Sequence, residues 1–509
     1  MKKDELLDHA RQYYDKDQIL KLKRAITFAT AAHAGQKRLS GEPYIIHPII
    51  TADTLISWGM DIDSVIAGIL HDTVEDTDVT LEQIDAQFGH NVAMLVDGVT
   101  KVSIASSGLK NIDTYLPKTK DNLSKLLIAV GQDVRVIMIK LADRLHNLST
   151  LKYLSHEKQI KVALESLEVF GPMADKLGMG YVRMQIEELA FSYIYPQEFK
   201  KTKNLMKKRL GKSTRKLGKI RIEVEEALNR HNINAEINGR VKSIYSLHKK
   251  LAKVNGNIDD IYDLMALRII VDNKNDCYIV LGILHSLYKP MINRIKDYIS
   301  SPKTNGYQSL HTTVITPSEQ IVEFQIRTQK MHEFAERGLA ASFHYHDQKT
   351  SKDYTDNNIS SSLPENMKWI TQLQEVVEKL KDGDEISKNQ LYIDLFGNRI
   401  FVHSPKGDIY DLPEGALPLD FAYLVHSDIA RNAYGFRVNN KIHAFDKPLH
   451  NGDIVEVITK RSAQPNQAWR QLVTTTTARN KLQGQLRQSN VAVLINNATN
   501  IIRRKQKNK

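Results

Sequence analysis

His71-Asp72-Thr73-Val74-Glu75-Asp76, read HDTVED, is the stretch on which the fold assignment turns. An imidazole and a carboxylate side by side can reach one divalent ion together. Glu75 follows His71 by four residues and Asp76 follows Asp72 by four, so on a helix all four groups fall on adjoining faces. A His-Asp pair alone carries little, because His346-Asp347 repeats it in a polar stretch. The surroundings carry more. YIIHP brings His47 from upstream, and KLADRLHN brings Asp143 from downstream. Two histidines and two aspartates from three segments make an N/O donor set with positions left for water. Such a set suits Mn2+ better than a closed structural zinc site. A bound ion of this kind acidifies its water and polarises a phosphoryl oxygen. Glu75 and Asp76 then stand where they would orient or deprotonate that water. The alternative is a knot of buried ion pairs in a helical bundle.

Working outward, residues 1–195 read as an all-helical domain. Ile26–His33, Ala52–Trp58 and Asp121–Ala129 carry apolar residues at three- and four-residue spacing. Asp78–Thr80 followed by Leu81 marks a helix start, and Gly89 its end. Lys200 to Lys219 is heavily basic: a solvated helix face or an RNA contact. Residues 200–347 read as a mixed α/β domain. LMALRIIV (Leu264–Val271) is a strand-like run. IVEFQIRT (Ile321–Thr328) alternates, with Glu323, Gln325 and Arg327 on one face and Val322, Phe324 and Ile326 on the other. Residues 348–388 form a polar linker and a connecting helix, Trp369–Leu380. Glycines punctuate short apolar runs over 389–460, as in a small β-rich domain. Residues 461–509 return to helical texture and close on a basic tail.

Composition sets outer limits. A chain of 509 residues with 41% hydrophobic and 26% charged residues is long enough for about three domains, each with its own core. The lone Cys277 excludes an intrachain disulfide and any multi-cysteine metal site. The N-terminus has no apolar core, and no run of about 18 apolar residues occurs, so neither a signal peptide nor a membrane span is expected and the setting is cytoplasmic. A net charge of +12 suits polyanionic partners.

The α/β segment holds a second dense set. GRVKSIYSLHKK offers Arg240, Lys242, Ser246 and Lys250; IYDLMALR offers Asp263 and Arg268. RIKDYISSPKTNGYQSLHTT offers Lys296, Lys303, Asn305, Tyr307, Gln308 and His311, and EFQIRTQKMHEFAE adds Glu323 and Glu336. A few carboxylates among many cations suit phosphoryl or pyrophosphoryl transfer: Asp263 and Glu323 can hold Mg2+ while Arg and Lys neutralise phosphates. Tyr307 can stack on a base, and Asn305-Gly306 is a turn former. Neither a Walker A loop nor GxGxxG is present, so P-loop and Rossmann readings fail.

HAGQKRLSGEPYIIHP, HDTVEDT and LADRLHNLSTL, in that order, resemble the HD hydrolase domain of the RelA/SpoT family of alarmone enzymes. The resemblance implies removal of the 3′-diphosphate from guanosine tetra- and pentaphosphate, (p)ppGpp, with Mn2+. It implies His47, His71, Asp72 and Asp143 as metal ligands, Glu75 and Asp76 as catalytic carboxylates, and Lys37, Arg38 and Asn147 as nucleotide contacts. The second set resembles the family's synthetase domain, a nucleotidyltransferase-like fold that moves the β,γ-diphosphate of ATP to the 3′-hydroxyl of GDP or GTP. There the resemblance implies Asp263 on Mg2+, Glu323 on metal or as base, and Arg240 and Arg268 beside adenine. It implies Lys242, Ser246 and Lys250 on ATP phosphates, Tyr307 on guanine, and Lys296, Lys303 and His311 on the acceptor side. Asn305 and Gln308 complete that nucleotide site. Arg294-Ile295-Lys296-Asp297 matches the sequence that marks bifunctional members. YIDLFGNRIFVH through NGDIVEVIT resembles the β-grasp TGS domain, whose family role is to sense uncharged tRNA on the ribosome. The chain stops at Lys509, where longer members carry further regulatory domains.

The expected architecture is therefore multidomain α+β. Three functions fit it: a bifunctional alarmone synthetase/hydrolase, a hydrolase with a regulatory nucleotide-binding domain, and a ribosome- or tRNA-binding module. The presence of Asp263 and Glu323 argues against the second, and HDTVED against the third.

Overall fold

Apolar residues three and four apart, closed by capping side chains, build the N-terminal helices of the computed structural model. The structure describes residues 3–107, 133–258, 261, 264–303, 305–338, 340 and 399–487. Asp121–Ala129, Asp263, the linker, Trp369–Leu380, Tyr392 and the basic tail lie outside the described residues. The chain divides into two compact units, Met1–Glu378 and Lys379–Lys509. The helical and α/β segments thus share the first unit.

In that unit the helices are α1 (Lys3–Ala10), α2 (Lys16–Ala32), α3 (Ile46–Trp58), α4 (Ile62–Leu70), α5 (Thr73–Asp76), α6 (Leu81–Phe88) and α7 (His90–Ser107). They continue as α8 (Arg135–Ser149), α9 (His156–Glu165), α10 (Gly171–Lys176) and α11 (Gly180–Ile194). The expected start near Asp78–Thr80 is a capping box between Thr80 and Gln83, and Gly89 caps the other end of α6. Gly68 sets the distance between α3 and α4. A Cβ there would lie 2.6 Å from Leu55 Cδ1, so any larger residue would force Leu55 to shift.

The 35-residue α12 (Pro196–Arg230) carries the basic run and lays Leu217, Ile220 and Val224 on the next core. There a mixed sheet has the order β1-β2-β6-β5-β3, with β4 on β5. Its strands are β1 (Ala235–Val241), β2 (Met265–Val271), β3 (Lys289–Pro290), β4 (Lys296–Asp297), β5 (Leu310–Ile315) and β6 (Ile321–Thr328). The helices α13 (Ile244–Lys253), α14 (Lys274–Leu287) and α15 (Gln329–Arg337) complete the segment. β2 and β6 run parallel, and the other pairs are antiparallel. β6 alternates as its sequence suggests, yet its polar face is covered too: Gln325 is buried and Arg327 is only 1% exposed. Arg327 lies against α15, where His332 Nδ1 is 2.7 Å and Glu336 Oε1 3.2 Å from its Nη2.

α11 packs on α15, so the helical and α/β segments are in direct contact. A Cβ on Gly338 would stand 2.2 Å from the Leu177 carbonyl oxygen, so this join requires glycine.

The second unit holds a hairpin, β7 (Arg399–His403) with β8 (Ile409–Pro413), and a three-stranded sheet of order β10-β9-β11. The latter comprises β9 (Ala433–Val438), β10 (Lys441–His443) and β11 (Val455–Thr459). α16 (Pro418–Val425) and α17 (Ser427–Arg431) cover them. Buried Asp420 ties the C-terminal extension to this unit, accepting from the backbone N–H and hydroxyl groups of both Thr474 and Thr475.

Candidate functional site

Three helical elements converge on one buried point. His47 lies in the first turn of α3, His71 and Asp72 at the break between α4 and α5, and Asp143 midway along α8. His47 Nε2 is 3.2 Å from Asp143 Oδ1 and 3.5 Å from Asp72 Oδ2. His71 Nε2 is 3.0 Å from Asp72 Oδ1 and 3.9 Å from Asp143 Oδ1. Donor atoms of His47, His71 and Asp143 all fall within 4.8 Å of one another.

The donor set fits a cation. His71 Nδ1 lies 2.9 Å from the Gly68 carbonyl oxygen, which can only accept, so Nδ1 carries the proton. That turns His71 Nε2 into the cluster, where it is buried without a hydrogen-bond partner. A lone pair facing carboxylate oxygens in a dry site needs a positive charge between them. Without an ion, a proton on Nε2 meets the same need. Burial lowers the His71 pKa, but Asp72 outweighs it and raises the pKa to about 9. Burial disfavours the charged form of Asp143, yet Lys140 and the two histidines hold it well below the usual carboxylate range. Lys140 Nζ donates to Asp143 Oδ2 at 2.7 Å.

The carboxylates next along are placed differently. Glu75 and Asp76 are exposed beside the cluster, lining the same cleft. The Tyr44 hydroxyl lies 2.9 Å from Asp72 Oδ2 and 2.7 Å from Asp76 Oδ2, linking an expected ligand to an expected catalytic group. Lys37 and Arg38 line the cleft with Asn147, and Arg38 Nη2 donates to Asn147 Oδ1 at 2.7 Å. Sequence reasoning missed Tyr44, Lys140 and His146. Tyr44 lies within the quoted YIIHP. His146, within the quoted KLADRLHN, is stacked on His47 with centroids 4.9 Å apart. Arg144 also lines the cleft, paired with Glu165 at 3.0 Å and lying over the Phe170 ring.

The sheet of the α/β segment gathers a second group. β6 presents Glu323 opposite Thr313 and Gln325 opposite His311, and β4 sets Lys296 opposite His311. Gln325 Nε2 donates to Glu323 Oε1 at 2.9 Å, and Arg240 Nη1 donates to Gln325 Oε1 at 2.8 Å. His311 Nδ1 is 3.6 Å from Glu323 Oε1, and its Nε2 is 2.9 Å from the Tyr307 hydroxyl. Burial, then Lys303 and Arg240, push the His311 pKa down to about 3. Lys303 Nζ sits over the rings of Tyr298 and Tyr307, at 4.8 and 5.2 Å. Arg268 pairs with Glu336 at 3.2 Å.

Other expected residues are engaged elsewhere. Asn305 donates its amide to the Asp175 carbonyl oxygen at 3.0 Å, across the join to the helical segment. Gln308 Nε2 is 3.4 Å from the Ile299 carbonyl oxygen. Lys242, Ser246 and Lys250 lie on the turn after β1 and along α13, whose N-cap, Ser243, also bonds the Ser246 hydroxyl.

Comparison with known proteins bears on both sites. Models of the HD domain, of the region found in RelA/SpoT proteins and of the TGS domain match residues 25–180, 239–350 and 400–459. A guanosine-3′,5′-bis(diphosphate) 3′-pyrophosphohydrolase of Vibrio cholerae is 39% identical over 95% of this chain and 67% of its own length. The bifunctional (p)ppGpp synthase/hydrolase SpoT of Escherichia coli is 39% identical over 93% of this chain and 66% of its own. A GTP pyrophosphokinase of Myxococcus xanthus is 39% identical over 94% of this chain and 62% of its own. This chain thus spans about two thirds or less of the length of these relatives. No helix among the described residues is long and apolar enough to cross a membrane. With all three models matched in order and similar identity to each of these relatives, the chain belongs to the RelA/SpoT family.

Proposed function

We propose that this chain is a bifunctional alarmone enzyme of the stringent response. One site transfers diphosphate from ATP to the 3′-hydroxyl of GDP or GTP, making (p)ppGpp. The other hydrolyses (p)ppGpp to GDP or GTP and diphosphate. The observation that carries the reading is the pairing of two unlike sites in one chain. One is a dry cluster of His47, His71 and Asp143; the other is a cation-lined sheet face around Glu323.

In the hydrolase, His47, His71, Asp72 and Asp143 would hold Mn2+, which when bound would supply an acidified water and a polarised phosphoryl oxygen. Glu75 and Asp76, exposed on the cleft, orient that water and take its proton. Lys37 and Arg38 meet phosphate or base, and Asn147 the nucleotide.

In the synthetase, Mg2+ when bound would neutralise charge on the transferred group. Glu323 and Asp263 hold it, or Glu323 takes the proton of the 3′-hydroxyl. Arg240 and Arg268 flank adenine, while Lys242, Ser246 and Lys250 hold ATP phosphates. Tyr307 stacks on guanine, with Lys296, Lys303, Asn305, Gln308 and His311 on the acceptor side. Burial is the largest cause of the low His311 pKa, and the Lys303, Arg240 and Lys296 cations that lower it further suit a polyphosphate.

Domain limits of 1–195, 200–347, 389–460 and 461–509, with a linker over 348–388, accompany this reading. So do a cytoplasmic setting and contact of the TGS domain with the ribosome and uncharged tRNA. The test is direct. Incubate the full chain with ppGpp and Mn2+, and separately with ATP, GDP and Mg2+, then resolve the nucleotides. GDP should form in the first and ppGpp in the second; unchanged nucleotides in both would overturn the proposal.

A further inference from the structure

We propose that His146 is a positioning residue for the metal centre: it accepts the Nδ1 proton of His47, and Arg38 holds it in the form that can accept. This inference rests on the hydrolase reading and deepens it.

His47 Nδ1 and His146 Nδ1 lie 2.6 Å apart, with the rings inclined by 28°. At that separation one proton lies between them, and the pair alone does not say which ring owns it. A third group decides. Arg38 Nη1 is 3.0 Å from the same His146 Nδ1. A guanidinium donates and never accepts. His146 Nδ1 therefore presents its lone pair, and the shared proton belongs to His47 Nδ1.

The consequence appears on the far side of the His47 ring. A neutral imidazole protonated at Nδ1 carries its free lone pair on Nε2. His47 Nε2 is the atom 3.2 Å from Asp143 Oδ1. That is the tautomer a metal ligand needs, and ligand histidines are commonly fixed by an acceptor on their other nitrogen. His71 reaches the same state through the Gly68 carbonyl. The two histidines are thus held alike by unlike acceptors, one a backbone oxygen and the other a side chain.

A side-chain acceptor depends on its own neighbours. Arg38 donates to His146 and, through Nη2, to Asn147 Oδ1 at 2.7 Å. Asn147 Nδ2 in turn donates to Asp143 Oδ1. One arginine of the cleft is therefore tied to two expected ligands, to His47 through His146 and to Asp143 through Asn147. Because α8 carries Asp143, His146 and Asn147 within five residues, a single helix face delivers both a ligand and the supports of two.

The test measures metal affinity rather than turnover. Full-length wild type, His146→Leu and His146→Gln are titrated with Mn2+, free ion being read by electron paramagnetic resonance, and thermal unfolding shows whether each variant is folded. Leucine fills the space without an acceptor; glutamine keeps a carbonyl that can accept from both His47 and Arg38. His146→Leu should bind Mn2+ about 10–100-fold more weakly, the usual cost of losing an outer partner. His146→Gln should stay within about threefold of wild type, since its amide oxygen replaces the acceptor. Equal affinity of His146→Leu and wild type would overturn the inference, and so would a loss in His146→Gln as large as in His146→Leu. A wild type that takes up no Mn2+ would instead overturn the metal reading on which the inference rests.

Discussion

The two sites of the first unit differ in the charge that faces their buried groups. In the helical segment carboxylates crowd the ligand cluster: Asp72 Oδ1 lies 3.0 Å and Asp143 Oδ1 3.9 Å from His71 Nε2. Buried guanidinium nitrogens without a partner occur in both segments, Arg144 Nε in the helical cleft and Arg268 Nε and Arg327 Nε in the α/β segment. Buried polar atoms are rarely left unpaired, so each orphan reports what its surroundings still lack. The contrast extends to electrostatics: carboxylates raise the His71 pKa to about 9, while burial and cations lower that of His311 to about 3. Two histidines of one chain are driven apart by what surrounds them, and the proposed metal and polyphosphate roles rest on that difference.

The comparison can be broken most sharply by removing metal. A chain stripped by chelation should lose ppGpp breakdown to background, and Mn2+ should restore it. Breakdown that persists after stripping, with metal content verified by elemental analysis, would end the cation reading of the helical site.

Lys296→Asp should have a smaller effect, confined to the other site. Lys296 is exposed on β4 opposite His311. A carboxylate there needs an extra ion to meet acceptor phosphates, so synthesis should fall about tenfold, the loss of roughly one charge-assisted contact. It should also climb more steeply with Mg2+, and wild type should use GDP at least as well as GTP. Initial rates against Mg2+ for both proteins and both acceptors provide the check; superimposable curves would remove Lys296 from the acceptor side.

The smallest effect sharpens the packing beneath the metal cluster. Gly68→Ala would set a methyl 2.6 Å from Leu55 Cδ1. Leu55 can shift in part, so about 1–3 kcal/mol of stability should be lost, as is usual for overpacking, with weaker Mn2+ binding as α4 moves from α3. Unfolding curves that match wild type would show that the helices do not depend on this contact.

Much of this was legible in sequence because the signals are local. The Thr80 start and Gly89 end of α6 and the strands at 265–271 and 321–328 follow from spacing and residue type, and the grouping of His47, His71 and Asp143 was legible through three motifs that resemble one domain. What was hidden depends on contacts between distant segments. The Tyr44 bridge to Asp72 and Asp76 joins residues 28 and 32 apart, and Arg38 meets His146 across 108. Alternation along β6 separated its two faces but not their environments. Arg327 reads as a surface cation until α15 returns over it with His332 and Glu336. Asn305 reads as a ligand-side turn residue, whereas its amide holds the join to the helical segment at Asp175.

The central claim is that one chain carries two chemically independent sites, and crossing two variants with two reactions tests it most directly. Asp72→Ala removes a carboxylate from the helical cluster; Glu323→Gln keeps the shape of its side chain but binds Mg2+ poorly and cannot take a proton. Each is assayed for ppGpp hydrolysis with Mn2+ and for ppGpp synthesis from ATP and GDP with Mg2+. The account predicts a reciprocal pattern: Asp72→Ala synthesises but does not hydrolyse, and Glu323→Gln hydrolyses but does not synthesise. Loss of both reactions in either folded variant, or full hydrolysis by Asp72→Ala, would contradict it.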